Sequence, residues 1–266
     1  MDTAGPAVRT IGAVNWLGLW TLYVREVRRF IKVYTQTVAA PVVTTLLFLA
    51  IFLLALGGQT RTVGGVPYTE FLAPGLIMMA MVQNAFANTS SSLMIAKIQG
   101  NIVDVLMPPL SPGELVWGFA LGGVTRGIVV GVVVAAVIAI FVPLHVYDLG
   151  LTVFHAVAAS LCLSVLGIIG AIWADKFDHI AAVTNFIVTP LSFLSGTFYS
   201  IDVLPGAWRD IALANPFFYM IDGFRYGLTG HADSSLALGV AVMIATNAAL
   251  IVLCHAMFKR GYKLKA

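Results

Sequence analysis

Residues 37–56 read TVAAPVVTTLLFLAIFLLAL, a run without one charge, closed by Gly57-Gly58. A bilayer core takes about 20 consecutive apolar residues to cross as a helix, and this stretch has that length. Five comparable runs follow at 71–95, 115–142, 149–174, 180–198 and 236–258. Backbone polar groups inside lipid must pair within the protein, and no alternation of the kind a closed barrel needs is visible, so the runs predict helices. The expected fold is all-α integral membrane, with six transmembrane helices in one domain over residues 1–266.

Composition agrees. Charged residues make up 10% of the 266 and hydrophobic ones 59%, with a mean hydropathy of +0.94. A soluble domain carries about 25% charged residues, and so few charges cannot solvate a globular surface. The net charge is +3 and no basic stripe tracks a phosphate backbone, so no nucleic acid partner is expected. Cys162 and Cys254 lie in apolar runs and read as packing residues. The first run has a polar lead of more than thirty residues containing Arg25, Arg28, Arg29 and Lys32, so no removable signal peptide is expected.

Lys and Arg placement predicts orientation. One side would hold Arg9, Arg25, Arg28, Arg29, Lys32, Lys97, Lys176, Lys259, Arg260, Lys263 and Lys265, and the other Arg61, Arg209 and Arg225. The basic side is expected to be cytoplasmic and to carry both termini, as six spans require. Two segments are expected not to span. From Val14 to Val33, apolar residues recur at three- and four-residue steps among Arg25, Glu26, Arg28, Arg29 and Lys32, an amphipathic helix lying along the cytoplasmic leaflet. Residues 200–230 are broken by Pro205 and Pro216 and charged by Asp202, Arg209, Asp210, Asp222 and Arg225. They read as an outer re-entrant hairpin hinged at Asn215-Pro216, with a loop cap as the alternative.

No catalytic constellation is visible. The chain has no Gly-Lys dipeptide and therefore no G-x-x-x-x-G-K-[ST] phosphate loop, and neither H-E-x-x-H nor G-x-S-x-G occurs. No catalytic or metal-binding residue is expected, and any ATP would be bound by another chain. Within the third run, Gly118, Gly122, Gly123, Gly127 and Gly131 form a small-residue seam for close helix approach, within one subunit or between two. Arg126 sits in the same run, and an intramembrane cation needs a partner, which the sequence does not name. The second run is polar in its latter half. Gln83, Asn84, Asn88 and Ser91, with Arg126, are candidates for a substrate path, and interhelical hydrogen bonding is the alternative.

The loop after the second run is patterned. Over 97–108, Ile98, Ile102, Val105 and Leu106 make a short apolar face among Lys97, Gln99, Asn101 and Asp104, and Pro108-Pro109 stops the helix. Residues 102–112 (IVDVLMPPLSP) resemble the cytoplasmic loop of type-2 ABC exporter permeases. The stretch 190–199 (PLSFLSGTFY), followed by Leu204-Pro205, Asn215-Pro216 and Gly223-Phe224-Arg225, resembles the same family's outer hairpin. The bacterial permeases grouped with nodulation-factor, polysaccharide and daunorubicin-type drug exporters look nearest.

The resemblance implies a half-transporter in the bacterial inner membrane: two copies of the permease, two separately encoded ABC-type ATPase subunits that hold ATP and Mg, and surrounding lipid. Residues 14–33 would be the connecting helix and 97–108 the coupling helix. Lys97, Gln99, Asn101, Ile102, Asp104, Val105 and Leu106 would then contact the ATPase, joined by Asp175, Lys176 and Asp178 of a second, smaller loop. The cargo would be amphipathic: lipid-like, glycan or drug. An ATP-independent secondary transporter or channel is the rival reading. Such proteins tend to bury acids within their spans and often carry internal repeats, and here Asp and Glu avoid the span centres.

Overall fold

The computed structural model describes residues 12–55 and 62–264. Arg9, the Gly57-Gly58 stop, Arg61 and Lys265 lie outside the described residues. The chain is almost entirely helical. In order come α1 (Trp16–Ile31), a π-helical turn (Thr35–Ala39) running into α2 (Ala40–Ala55), and a two-stranded antiparallel ribbon of β1 (Thr62–Val63) and β2 (Val66–Pro67). Then follow α3 (Tyr68–Ile98), the short α4 (Ile102–Leu106), α5 (Pro112–Ile138) and α6 (Leu149–Trp173). The fifth span is composite: α7 (Phe177–Val183), a second π-helical turn (Thr184–Val188) and α8 (Thr189–Leu194). A 3-10 turn (Ile201–Val203), α9 (Gly206–Ala214) and α10 (Pro216–Thr229) lead to α11 (Leu236–Arg260).

Among the described residues six helical segments are long and apolar enough to cross a bilayer: 35–54, α3, α5, α6, 177–194 and α11. They are not equivalent. α3 is the hub, packed on α5, α6 and α10, and 83% of its apolar window is buried, against 17% for the first span and 11% for the fifth. Each π turn ends two residues before a proline, Pro41 or Pro190. A proline ring removes one helical donor and crowds the carbonyl four residues back; widening the turn relieves that crowding.

The glycine seam packs within the chain. A methyl group at Gly118 would strike Leu22, at Gly122 Glu26, at Gly123 Ser164 and Thr89, at Gly127 Ser160, and at Gly131 Met81. α1, α3 and α6 all reach the α5 backbone through these gaps. The third run stops as a helix at Ile138, four residues short of the expected Val142. The fifth stops at Leu194, and the chain then turns through Gly196 at φ +71°, a conformation that suits glycine.

α1 turns a different face inward from the one its pattern suggests. Trp16, Leu17 and Trp20 are exposed, while Leu22, Glu26 and Phe30 are buried. The helix lies along the first half of α5, with Leu22 over Gly118, Glu26 over Gly122, and the Tyr23 hydroxyl 3.0 Å from that of Thr125. Polar groups point inward because α3 and α5 offer them partners there, and the tryptophans are left for the apolar surroundings.

Residues 200–230 contain two helices broken at Asn215-Pro216. The Asn215 side chain accepts from the Phe217 amide and donates to the carbonyl of Leu191 and the hydroxyl of Ser195. α10 is drawn into the bundle against α3, α6 and α11. Its Arg225 is fully buried, donating to the carbonyls of Phe71 (3.2 Å) and Gly196 (2.5 Å), with its guanidinium 3.8 Å over the Phe71 ring. Asp222 accepts from the amides of Asp233 and Ser234 and from the Ser234 hydroxyl, which anchors the turn into α11.

Candidate functional site

Two polar regions carry the candidate functional residues. The first is the basic end of the bundle. Gly100, at φ +74°, turns the chain out of α3. α4 then presses Ile102 and Val105 into the core, each 4% exposed, with Leu106 half-buried. Gln99, Asn101, Val103, Asp104 and Met107 are left exposed. Ile102 and Val105 therefore act as anchors, and the outward surface of α4 consists of Val103 and Met107 around Asp104. Ile98, expected on the same face as Ile102, is exposed at the end of α3, because the Gly100 turn separates the two helices.

Three clamps hold this end together. Ser111 caps α5, accepting from the Glu114 amide, and the Glu114 carboxylate accepts from the backbone amides of Ser111 and Asn15. One acid thus ties the start of α1 to the α4–α5 loop, and the Asn15 side chain adds a bond to the Pro109 carbonyl at 3.2 Å. Lys97 donates to the carbonyls of Ala171, Ile172 and Ala174 at 3.1, 2.9 and 2.6 Å. These are the open carbonyls at the end of α6, where a cation is favoured. Lys263 joins the chain's last turn to the same loop, through the Trp173 carbonyl and a 2.9 Å ion pair with Asp175. The hydrogen bond from Lys263 holds the Asp175 carboxyl below the usual carboxylate range and raises the Lys263 ammonium. Lys176 and Asp178 are exposed beside it.

The second region is the polar face of α3. Arg126 donates to the Asn84 side-chain oxygen at 2.9 Å, which supplies the partner the sequence did not name. Arg29 donates to Asn88, at both its backbone and side-chain oxygens, and to the Ser91 hydroxyl. Glu26 is completely buried; it accepts from Ser92 at 2.8 Å and pairs with Arg25 and Arg29 at 3.1 and 3.4 Å. Burial pulls the Arg29 guanidinium below its ordinary range, partly offset by Glu26.

The five expected path residues therefore divide. Asn88 lies in the joint that holds α1. Gln83 and Asn84 face two grooves, one of about 270 Å³ against the first span and one of about 390 Å³ against the fifth, and Ser91 lines the second while also accepting from Arg29. Sequence reasoning missed the inward turn of Glu26 and Arg29 and the clamps at Glu114 and Lys97. Only Glu114 had a local signal, since Ser111-x-x-Glu114 before an apolar run is a capping box. Among the described residues no three His, Cys, Asp or Glu side chains converge to hold a metal.

A membrane bundle with a composite fifth span, a two-helix segment before the last span whose second helix is buried, and a small helix held out at the basic end defines the class. The chain belongs to the ABC-2 type transporter family, whose sequence pattern matches residues 18–229. The inner membrane transport permease YadH of Escherichia coli (strain K12) is 36% identical over 251 residues, covering 94% of this chain and 98% of that protein. Nodulation protein J of Rhizobium leguminosarum bv. viciae is 25% identical over 245 residues, covering 90% and 92%. Nodulation protein J of Rhizobium meliloti (strain 1021) is 22% identical over 247 residues, covering 92% and 93%. The chain is a multi-pass membrane protein of this transporter family.

Proposed function

We propose that this chain is the permease of an ATP-driven exporter of the bacterial inner membrane, working as two copies joined to two ABC-type ATPase subunits that bind ATP and Mg. The basic end, with both termini, faces the cytoplasm. α4 receives the motion of the ATPase through Asn101, Val103, Asp104 and Met107, and Asp175, Lys176 and Asp178 form the second contact. The cargo is amphipathic (lipid-like, glycan or drug) and passes the Gln83 and Asn84 face of α3, between the little-buried first and fifth spans.

The observation that carries this reading is the mounting of α4. A helix of five residues has little stability alone, yet this one is anchored by two buried side chains, adjoins a loop tied to α1 and α5, and follows the end of α3 that Lys97 joins to α6. A push on it moves those helices as a rigid body. The test is co-expression with an ABC-type ATPase encoded beside the permease. Asp104→Lys and Val103→Asp are expected to leave the permease folded while reducing co-purification of the ATPase or its transport-coupled hydrolysis. Ile102→Pro is expected to do the same by removing one of the two buried anchors of α4, since proline at a first helical position leaves the helix itself intact. Equal recovery of the ATPase with unchanged stimulated hydrolysis in all three would sink the assignment.

A further inference from the structure

α1, the basic-end part of α3 and α4 enclose an open cavity of about 880 Å³. Four cations face it, Arg25, Arg28, Arg29 and Lys32, against two acids, Glu26 and Asp104. Glu26 is already paired with Arg25 and Arg29, and Asp104 stands alone on the α4 wall. Arg28 and Lys32 are exposed, and their side chains make no hydrogen bond or ion pair among the described residues. Arg29 is half-buried, and its Nε lacks a hydrogen-bond partner. Arg126, bound to Asn84, also has an unpartnered Nε. Clustered cations left over after internal pairing in a partly dry site call for an anion.

The walls and the depth narrow the choice. Trp20, Val24 and Ile95 give the cavity apolar sides, so its occupant is amphiphilic. α3 has 31 residues and is therefore about 46 Å long, longer than a hydrocarbon core of about 30 Å. A membrane entered near Tyr68 is left near Asn88, the residue that Arg29 grips. Phosphates of the leaflet lie near that level.

We propose that this cavity binds the phosphate of an anionic lipid, with Arg29 at its floor and Arg28 and Lys32 at its rim. The site does not depend on coupling to an ATPase. The phosphate has two sources, a membrane phospholipid or a phosphate-bearing lipid cargo. The experiment is native mass spectrometry of the delipidated full-length protein titrated with phosphatidylglycerol or phosphatidylcholine, alongside mass analysis of whatever co-purifies from cells. Wild type is expected to prefer phosphatidylglycerol. Each basic residue near a membrane surface contributes a factor of about five, so the double variant Arg28→Gln, Lys32→Gln is expected to weaken that binding about 25-fold with an unchanged melting profile. Arg29→Gln is expected to lose it as well, and because Arg29 also braces α3, the double variant decides if Arg29→Gln fails to fold. A co-purified bulk phospholipid assigns the site to the bilayer; a different phosphorylated lipid assigns it to cargo. Equal binding of the two test lipids by wild type, or an unchanged preference in the double variant, overturns the proposal.

Discussion

Gly167 and Gly170 lie three residues apart in α6, both buried, and alanine should have opposite effects at the two. At Gly167 the new methyl carbon would stand 2.7 Å from the Phe86 carbonyl oxygen and 2.2 Å from the Thr89 hydroxyl. The carbonyl belongs to the α3 backbone and cannot turn away, and ordinary contact is about 0.7 Å further out. Either α3 and α6 part, or Thr89 rotates and loses its 2.8 Å bond to the Ser164 carbonyl. Overpacking of this kind costs about 1–3 kcal/mol, and an interhelical hydrogen bond in a membrane is worth about 0.6 kcal/mol. The helix-propensity gain of alanine over glycine offsets about 1 kcal/mol of this. Gly167→Ala should therefore destabilise by about 0.5–2.5 kcal/mol. At Gly170 the nearest atom is the flexible end of Ile180 at 3.7 Å, so only the propensity gain applies and Gly170→Ala should be neutral or stabilising by up to about 1 kcal/mol. Unfolding in mixed detergent micelles, followed by circular dichroism, measures both on one scale. Equal stability of the two variants would refute the α3–α6 contact at this point.

Two further outcomes follow from single side chains. Arg225→Gln removes the buried guanidinium from the Phe71 and Gly196 carbonyls and from the Phe71 ring; it should destabilise by about 1–3 kcal/mol, read as loss of folded protein in a size-exclusion profile, and Arg225→Lys should not restore it, because one ammonium cannot copy a planar fork stacked on Phe71. Ser111→Ala deletes the α5 cap and should cost about 1 kcal/mol, with faster amide exchange confined to residues 111–115 and the start of α1.

The spans and their order were legible because each hydrophobic run is long, uncharged apart from Arg126 in the third, and self-sufficient in backbone hydrogen bonds, so its helicity needs no partner. The proline and asparagine of the 215–216 hinge and the patterned loop at 102–112 act locally and were legible for the same reason. The path residues on α3 were visible as polar positions in an apolar run, though not how they would divide between grooves and the α1 joint.

What only the tertiary structure decided is the meaning of each charge and each glycine. Composition places Glu26 and Arg29 on a solvated face of an amphipathic helix; α3 supplies the hydrogen-bond partners Asn88, Ser91 and Ser92, and α5 the gap at Gly122, that make the inward orientation better. Arg126 had to wait for Asn84, and Lys97 for the end of α6, because those partners are distant in sequence. The glycines at 118–131 permit close approach wherever a helix arrives, and that the arrivals are α1, α3 and α6 of the same chain follows from packing alone. Local sequence sets which segments become helices, and the pairing of buried polar groups sets how those helices face one another.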